Sequence, residues 1–410
     1  MKHYLFLALS MLLLLSSCEK DNNEDEPTGP AKRTVIVYMA SENNLGSSTY
    51  PFADNDTSEM IVGSKLIGKD CNLIAFIDKA ETNNMPSIWK FEGGKKTLLK
   101  QYNEDFYSSD PARIKEVLEW AAQQYPAKSY GLVLWGHASG WVIESDTIAT
   151  SSAKAPRKAY GRDTGDNTGK GNNVGKWINI PTLAKTLEGL NFKLDYIFAD
   201  CCNMSNAETA YELRKATPLL IASPAEIPGN GAPYDKIVPH LFSTASSFAK
   251  DIVNTYADAY NSQIPLAVIE TAQMEQLANA TRVILSTIEP TKDKELNFTG
   301  LVYNDGDRRV GLCTLYDMGD FLLQNATADN YQQWKQAFDK AVTYRRFGAT
   351  WLSNGHVDFS LFKATEEKES GMSMYIPRQL YDNYAYSSTY NGTYNKMQWY
   401  WAVSWQNYGW

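Results

Sequence analysis

Tyr130-Gly131-Leu132-Val133-Leu134-Trp135-Gly136-His137-Ala138-Ser139-Gly140-Trp141 and, further along, Tyr196-Ile197-Phe198-Ala199-Asp200-Cys201-Cys202-Asn203-Met204-Ser205 decide the fold. Each begins as a short continuous apolar run, the pattern of a strand covered on both faces. Each run ends at a residue that carries chemistry: His137 after the first, Cys202 after the second. Open α/β sheets place their reactive groups at the carboxyl ends of parallel strands. A His and a thiol presented that way on two strands can form a nucleophile–base pair.

Similar apolar runs at 34–40, 72–78, 219–223 and 266–269 predict further strands. Helical patterns fall between them. Asp110-Pro111 reads as an N-cap with Pro at the first helical position, and Ile114, Val117, Leu118 and Ala121 keep helical spacing. A second helix is expected from Pro181, with Leu183, Leu187 and Leu190 on one side, and a third over about 205–215. This βαβα order predicts an α/β/α sandwich with a mostly parallel central sheet.

The ends read differently. Lys2 followed by the apolar stretch Leu5 to Leu15 is too short to span a bilayer as a mature helix. It closes on Leu15-Ser16-Ser17-Cys18, which resembles a bacterial lipoprotein signal, so residues 1–17 are expected to be removed and Cys18 lipidated. Residues 18–31 are acidic and broken by Pro and Gly, as a disordered tether would be. An acidic run just after the lipidated Cys resembles a surface-export signal. The expectation is a protein of the cell envelope, held at the outer membrane or the cell surface by its lipid. The formal charge of −8 argues against nucleic acid as a partner. Of five Cys, Cys71 and Cys313 are expected to be buried thiols, and adjacent Cys201 and Cys202 are ill placed for a mutual disulfide. No Cys/His spacing matches a zinc site. A monomer is expected.

Residues 144–175 break the strand–helix alternation. They have no hydrophobic period, no phosphate-loop motif, and Asp/Asn/Gly content without the spacing of an EF-hand calcium loop. Further on, 371–377 predicts another strand. Residues 379–410 are dense in Tyr and Trp, expected to pack a late helix on the core rather than to display a glycan or peptide surface.

Together these blocks resemble the clostripain family, in the wider caspase-like clan of cysteine peptidases. Thr34-Val35-Ile36-Val37-Tyr38-Met39-Ala40 with Glu42-Asn43-Asn44-Leu45 is similar to the family's first strand and loop. Leu134 to Trp141 resembles its His motif, and Asp200-Cys201-Cys202-Asn203-Met204 with Glu208 its nucleophile motif. Pro228-Gly229-Asn230-Gly231, the run Leu315 to Phe321 and 371–377 resemble later blocks. The resemblance implies a caspase-like peptidase domain over 32–410, of which 241–410 is a C-terminal extension. It also departs from the family at four positions. Ala138 stands where Gly is usual, Cys201 where Ala is, Asn203 where Leu is, and Asn230 where an acid is common.

On that reading Cys202 is the nucleophile and His137 the base, with the backbone N–H groups of Ala138 and Cys202 stabilising the oxyanion. Alternation puts Asp200 and Cys202 on one face and Cys201 on the other. A helix starting near Ser205 would aim its positive end at Cys202. Asp200 is expected to select Arg or Lys at P1, Arg gaining from a bidentate fork, with Asn230 adding a neutral hydrogen bond. The basic residues Lys154, Arg157, Lys158 and Arg162 predict self-cleavage in the loop after His137, at Lys154 first. The chemistry needs no cofactor. The resemblance allows calcium, without a legible site. The alternative is a weak or inactive envelope lipoprotein of the same fold that binds peptide or glycan.

Overall fold

The computed structural model describes residues 29–80, 84–143, 159–165, 175–307, 312–348, 352–353, 356–357, 368–384 and 387–410. Cys18 and the expected processing residues Lys154, Arg157 and Lys158 lie outside them. The described chain runs β1 (Arg33–Ser41), α1 (Phe52–Gly63), β2 (Cys71–Lys79), β3 (Ser87–Glu92), β4 (Lys95–Gln101), α2 (Pro111–Gln124), β5 (Tyr130–Gly136), β6 (Tyr160–Asp163), β7 (Lys176–Ile178) and α3 (Ile180–Glu188). It continues with β8 (Tyr196–Asp200), α4 (Ala207–Leu213), β9 (Leu219–Ala222), α5 (Tyr234–Leu241), α6 (Phe248–Ala259), β10 (Leu266–Glu270), α7 (Met274–Ile288), β11 (Tyr303–Asp307), β12 (Leu312–Asp317), α8 (Met318–Asn325), α9 (Ala328–Ala341) and β13 (Val342–Arg346).

The central sheet has the order β13-β10-β9-β8-β5-β1-β2-β3-β4. Its five middle strands, β9-β8-β5-β1-β2, are parallel. Both flanks are antiparallel, β10 and β13 on one side and β3 and β4 on the other. The C-terminal region therefore contributes two strands to the sheet that carries the site.

Alternation along each strand divides the interior into two cores. Ile36, Tyr38, Leu132, Leu134, Ile197 and Ala199 face one, where α2, α3, α4 and α7 pack. Val35, Val37, Val133, Trp135, Tyr196 and Phe198 face the other, closed by α1, α5 and α6. Each fully buried Leu or Val contributes roughly 1.5–3 kcal/mol, so the period-two pattern fixes which side chains can reach the site from each face. Helix α2 starts as expected, with the Asp110 side chain accepting from Ala112 N at 2.8 Å and Pro111 at its first position.

Two expectations shift. The stretch 371–377 yields only the short strand Ser373–Met374, paired with β12. Cys71 is buried, whereas Cys313 is half-buried. The C-terminal aromatics do pack the core. Tyr390, Tyr394, Trp399 and Trp405 are buried, with Trp401 the exposed exception. Trp141, just past the His motif, sits against Tyr375, Tyr394 and Tyr390 with ring centroids 4.3, 5.0 and 5.8 Å away. The end of the chain thus anchors the loop after β5. Glu208 belongs to the same tie, accepting from Tyr375 N at 3.0 Å and the Tyr394 hydroxyl at 2.7 Å. Among the described residues no helix is long and apolar enough to cross a membrane.

Candidate active site

Strands β5 and β8 are parallel neighbours whose register pairs Leu134 with Ala199 and Trp135 with Asp200. Two residues further along each strand stand His137 and Cys202. Adjacent strands are about 4.8 Å apart, so equal offsets from one register pair bring the imidazole and the thiol to one place. Both line a cavity of about 330 Å³ with Leu45, Trp135, Asp200 and the segment from Glu226 to Gly229.

A tight loop after β1 completes the His side. The Asn43 side chain pins it, donating to Ala40 O at 3.0 Å and Arg162 O at 2.7 Å while accepting from Leu45 N at 2.8 Å. That turn carries Asn44 Oδ1 to within 2.8 Å of His137 Nε2. With Oδ1 accepting, the ring proton sits on Nε2 and the lone pair on Nδ1. Burial and then the Arg162 guanidinium push the imidazole down to about pKa 4, so it is neutral at pH 7. Sequence reading took this loop only as a family block and missed Asn44. Its signal was the Asn-Asn pair after a strand, a turn former with a spare amide.

Cys201 is fully buried, and its thiol is pushed well up by burial, then by Cys202 and Asp200. Cys202 is partly exposed in the cavity, with Ile227 N donating to Sγ at 3.4 Å. The expected split of Cys201 from Cys202 between the two faces is therefore present. Helix α4 starts at Ala207, later than expected. Asn206 caps it by accepting from Thr209 N at 2.7 Å, so a turn separates the thiol from the helix end. Asn203 occupies that turn at φ +58°, a left-handed conformation that Asn tolerates and Leu does not favour. Ala138 is absent from the described non-glycine residues at positive φ, so the Gly-to-Ala departure carries no backbone strain there. Bonds from Ser139 N to Ala159 O and from Gly161 N to His137 O flank Ala138, and its own N–H takes no part in that bridge.

Asp200 is buried at the base of the cavity. It accepts from Ala232 N (3.1 Å) and the hydroxyls of Tyr234 (2.8 Å) and Tyr256 (2.9 Å). Burial raises its pKa, and these three donors pull it back. Behind it lies Asp56 of α1, brought here by the packing of the helix rather than by any local motif. Asp56 accepts from Trp135 Nε1 at 2.6 Å. Its pKa is pushed up to about 9 by burial and then by the charge of Asp200. Gly231, at φ +59°, covers both acids. A Cβ there would come 2.9 Å from Asp200 Oδ2 and 3.1 Å from Asp56 Oδ2. Asn230 departs from expectation. Gly231 N bonds Pro228 O in a four-residue turn, which leaves Asn230 at the exposed corner and outside the cavity lining.

The model of the clostripain family, Peptidase C11, matches residues 37–410. The clostripain of Hathewaya histolytica is 25% identical over 236 residues, which is 51% of this chain and 42% of that protein; the match thus spans less than half of that relative. A secreted C11 cysteine protease from Bacteroides thetaiotaomicron, solved in complex with an irreversible peptide inhibitor, superposes with a TM-score of 0.73 at 25% identity, over 92% of this chain and 100% of that one. An inactive zymogen C11 protease from Parabacteroides distasonis has the same fold, with a TM-score of 0.71 at 24% identity over 92% and 99%. The family match over most of the chain, the caspase-like sheet and the inhibitor-bound neighbour agree: this chain belongs to the clostripain family of cysteine peptidases.

Proposed function

We propose that the protein cleaves peptide bonds after Arg or Lys, with Cys202 as nucleophile and His137 as base. The observation that carries this reading is the common register of His137 and Cys202 in a cavity whose base is Asp200. Cys202 Sγ attacks the scissile carbonyl carbon and its proton passes to His137 Nδ1. The N–H groups of Ala138 and Cys202 stabilise the oxyanion of the tetrahedral intermediate. Collapse of that intermediate breaks the C–N bond, and His137 returns the proton to the leaving amine. Water then hydrolyses the thioester, with His137 again taking a proton. Asn44 is a positioning residue that holds the ring in the useful tautomer.

Asp200 attracts the P1 cation. A carboxylate has roughly four acceptor positions, and three donors already occupy Asp200. A guanidinium fork therefore finds about one position left, and the expected advantage of Arg over Lys through a bidentate contact is lost. Charge attraction in a desolvated pocket remains for both.

The same specificity applied to its own chain supports self-cleavage between the two catalytic residues, at Lys154 before Arg157 or Lys158. A cut there leaves β5 and β8 paired in the sheet. Arg162 is a poor scissile residue because it lies in β6 with its carbonyl bonded to Asn43. Purified wild type forms two co-eluting fragments and Cys202→Ala stays whole; equal nicking of the inactive variant would reject this. Cys18 carries the lipid that holds the enzyme in the envelope. Cys18→Ser releases it from the membrane fraction or blocks signal cleavage, and unchanged retention with ordinary cleavage counts against it. The main reading is tested with a thiol-reactive peptide probe ending in Lys or Arg. Mass spectrometry should find the adduct on Cys202; labelling of Cys201, or none of either, would overturn the assignment.

A further inference from the structure

Two acids lie at the base of the cavity, and the catalytic reading uses only Asp200. Asp56 is buried, and its Oδ2 accepts from the Trp135 indole at 2.6 Å. Trp135 and Gly231 both line the cavity. A Cβ on Gly231 would stand 2.9 Å from Asp200 Oδ2 and 3.1 Å from Asp56 Oδ2, so the two carboxyl groups flank one methyl-sized space at its wall. Asp200 has three donors; among the described residues the donor to Asp56 is the indole. The charges that bear on Asp56 are those of Asp200 and Glu59, both negative. Tyr234 of α5 and Tyr260 after α6 also face it, with hydroxyls pushed far above the neutral range by burial. The other charged groups around α1 meet different partners. Lys79 and Lys96 face the exposed Asp54, Lys90 pairs with Glu92, and Lys65 lies against Gly94. From α5, Asp235 and Lys236 act on Glu59, and His240 meets Thr255.

We propose, resting on Asp200 as the P1 acid, that Asp56 is a second acid of the same pocket, neutral while the pocket is empty and ionised once a basic side chain lies against Asp200. Two acids so close in a dry site do not both ionise without a cation beside them. Burial and then the charge of Asp200 push the pKa of Asp56 up to about 9, so it holds its proton at pH 7. A guanidinium or ammonium beside Asp200 cancels that repulsion and attracts a charge on Asp56. The Asp56 O–H then ionises and its proton passes to solvent. The Trp135 N–H now donates to a carboxylate, which is the stronger bond. One positive charge enters as another leaves, so the buried site keeps its net charge. A neutral P1 side chain offers no such exchange. Asp56 is thus a specificity-determining residue that acts through Asp200, and its negative charge is present only with a basic substrate.

The test uses the full chain carrying Cys202→Ala, so that a peptide is bound and not cut. A short acetylated peptide with Arg at P1 is titrated by calorimetry in phosphate and in Tris at about pH 8, where the buffer dependence of the heat counts protons released. Up to about one proton should leave per Arg peptide bound, and none when citrulline, its neutral isostere, takes the P1 place. Binding that releases a proton strengthens as pH rises, so affinity for the Arg peptide should rise by up to about tenfold per pH unit and level off above about pH 9. His137, with its pKa lowered to about 4, is silent in that window. Adding Asp56→Asn, whose amide oxygen still accepts from Trp135, should abolish the release and flatten the profile. Should that variant fail to fold, infrared difference spectra of the Cys202→Ala protein should show one protonated-carboxyl band lost with the Arg peptide and kept with citrulline. Tighter binding of Arg than of citrulline without proton release, or equal release with and without Asp56, would overturn the proposal and leave Asp200 as the P1 acid. Equal affinity for the two peptides would remove the P1 role of Asp200 and this proposal with it.

Discussion

Asp200 and Asp78 end neighbouring regions of one sheet on opposite faces, and the fold treats them in opposite ways. Asp200 looks into the core closed by α1, α5 and α6 and accepts three hydrogen bonds, two of them from tyrosines on those helices. Asp78 follows Ile74 and Phe76 into the other core, where burial and then the charges of Asp163, Glu42 and Asp105 raise its pKa. A carboxylate surrounded by donors keeps its charge in a dry pocket without a permanent counter-ion. It can therefore await a cation that comes and goes, as a substrate side chain does. A carboxylate surrounded by acids is driven towards its protonated, neutral form. The comparison separates an acid supplied with donors at a cavity from an acid packed against other acids in the core.

The largest expected effect breaks the cavity side. Asp200→Asn should cut kcat/KM for Arg and Lys substrates by about 10²–10³-fold, the loss expected when a charge-assisted contact in a desolvated site is removed. Neutral P1 substrates should change little in the same kinetic series. An equal loss across the series would make Asp200 structural. Next, Trp135→Phe removes the indole donor from Asp56 and should cost about 1–3 kcal/mol in urea unfolding. The matching change on the other side, Asp78→Asn, should cost nothing, because it removes one of several mutually repelling acids. Equal costs would erase the distinction between the two acid groups. Gly231→Ala should raise KM for basic substrates about tenfold, since the methyl would press on both pocket acids at a strained φ of +59°. An unchanged KM would move the P1 pocket elsewhere.

The smallest effect is a titration. In Cys202→Ala, His137 should titrate near pH 4 by NMR, held there by burial and Arg162. Arg162→Gln should move it upward by less than one unit. Because the folded value lies below the ordinary 6.5, the unfolded chain takes up the proton first. His137 therefore lowers stability as pH falls from about 6.5 to about 4, and contributes no pH dependence above that window. A normal titration near 6.5 would mean that the ring is hydrated.

The sheet's middle was legible because parallel strands buried on both faces are continuous apolar runs. The six strands read for the central sheet are all present, 130–136 and 196–200 with unchanged bounds, while the seventh, 371–377, shrinks to Ser373–Met374 in a separate small sheet. The edges were not. β4 reads Lys-Lys-Thr-Leu-Leu-Lys-Gln and is mostly exposed. Its lysines suit an unpaired edge and hide the apolar alternation. His137, Cys202 and Asp200 were legible for a local reason, since strand ends position them directly. Asn44 and Asp56 were not, because a pinned turn and a helix crossing carry them in from distant parts of the chain. Asp78 carries no local signal for the same reason: Glu42 and Asp105 meet it only after folding.

Turnover of one Arg-P1 fluorogenic peptide by wild type, Cys202→Ala and Cys201→Ala, each verified as folded, separates the two adjacent thiols. Loss of all measurable turnover in Cys202→Ala, with most of it kept in Cys201→Ala, is the predicted result. Turnover surviving in Cys202→Ala, or abolished only in Cys201→Ala, would contradict the assignment of Cys202 as the nucleophile.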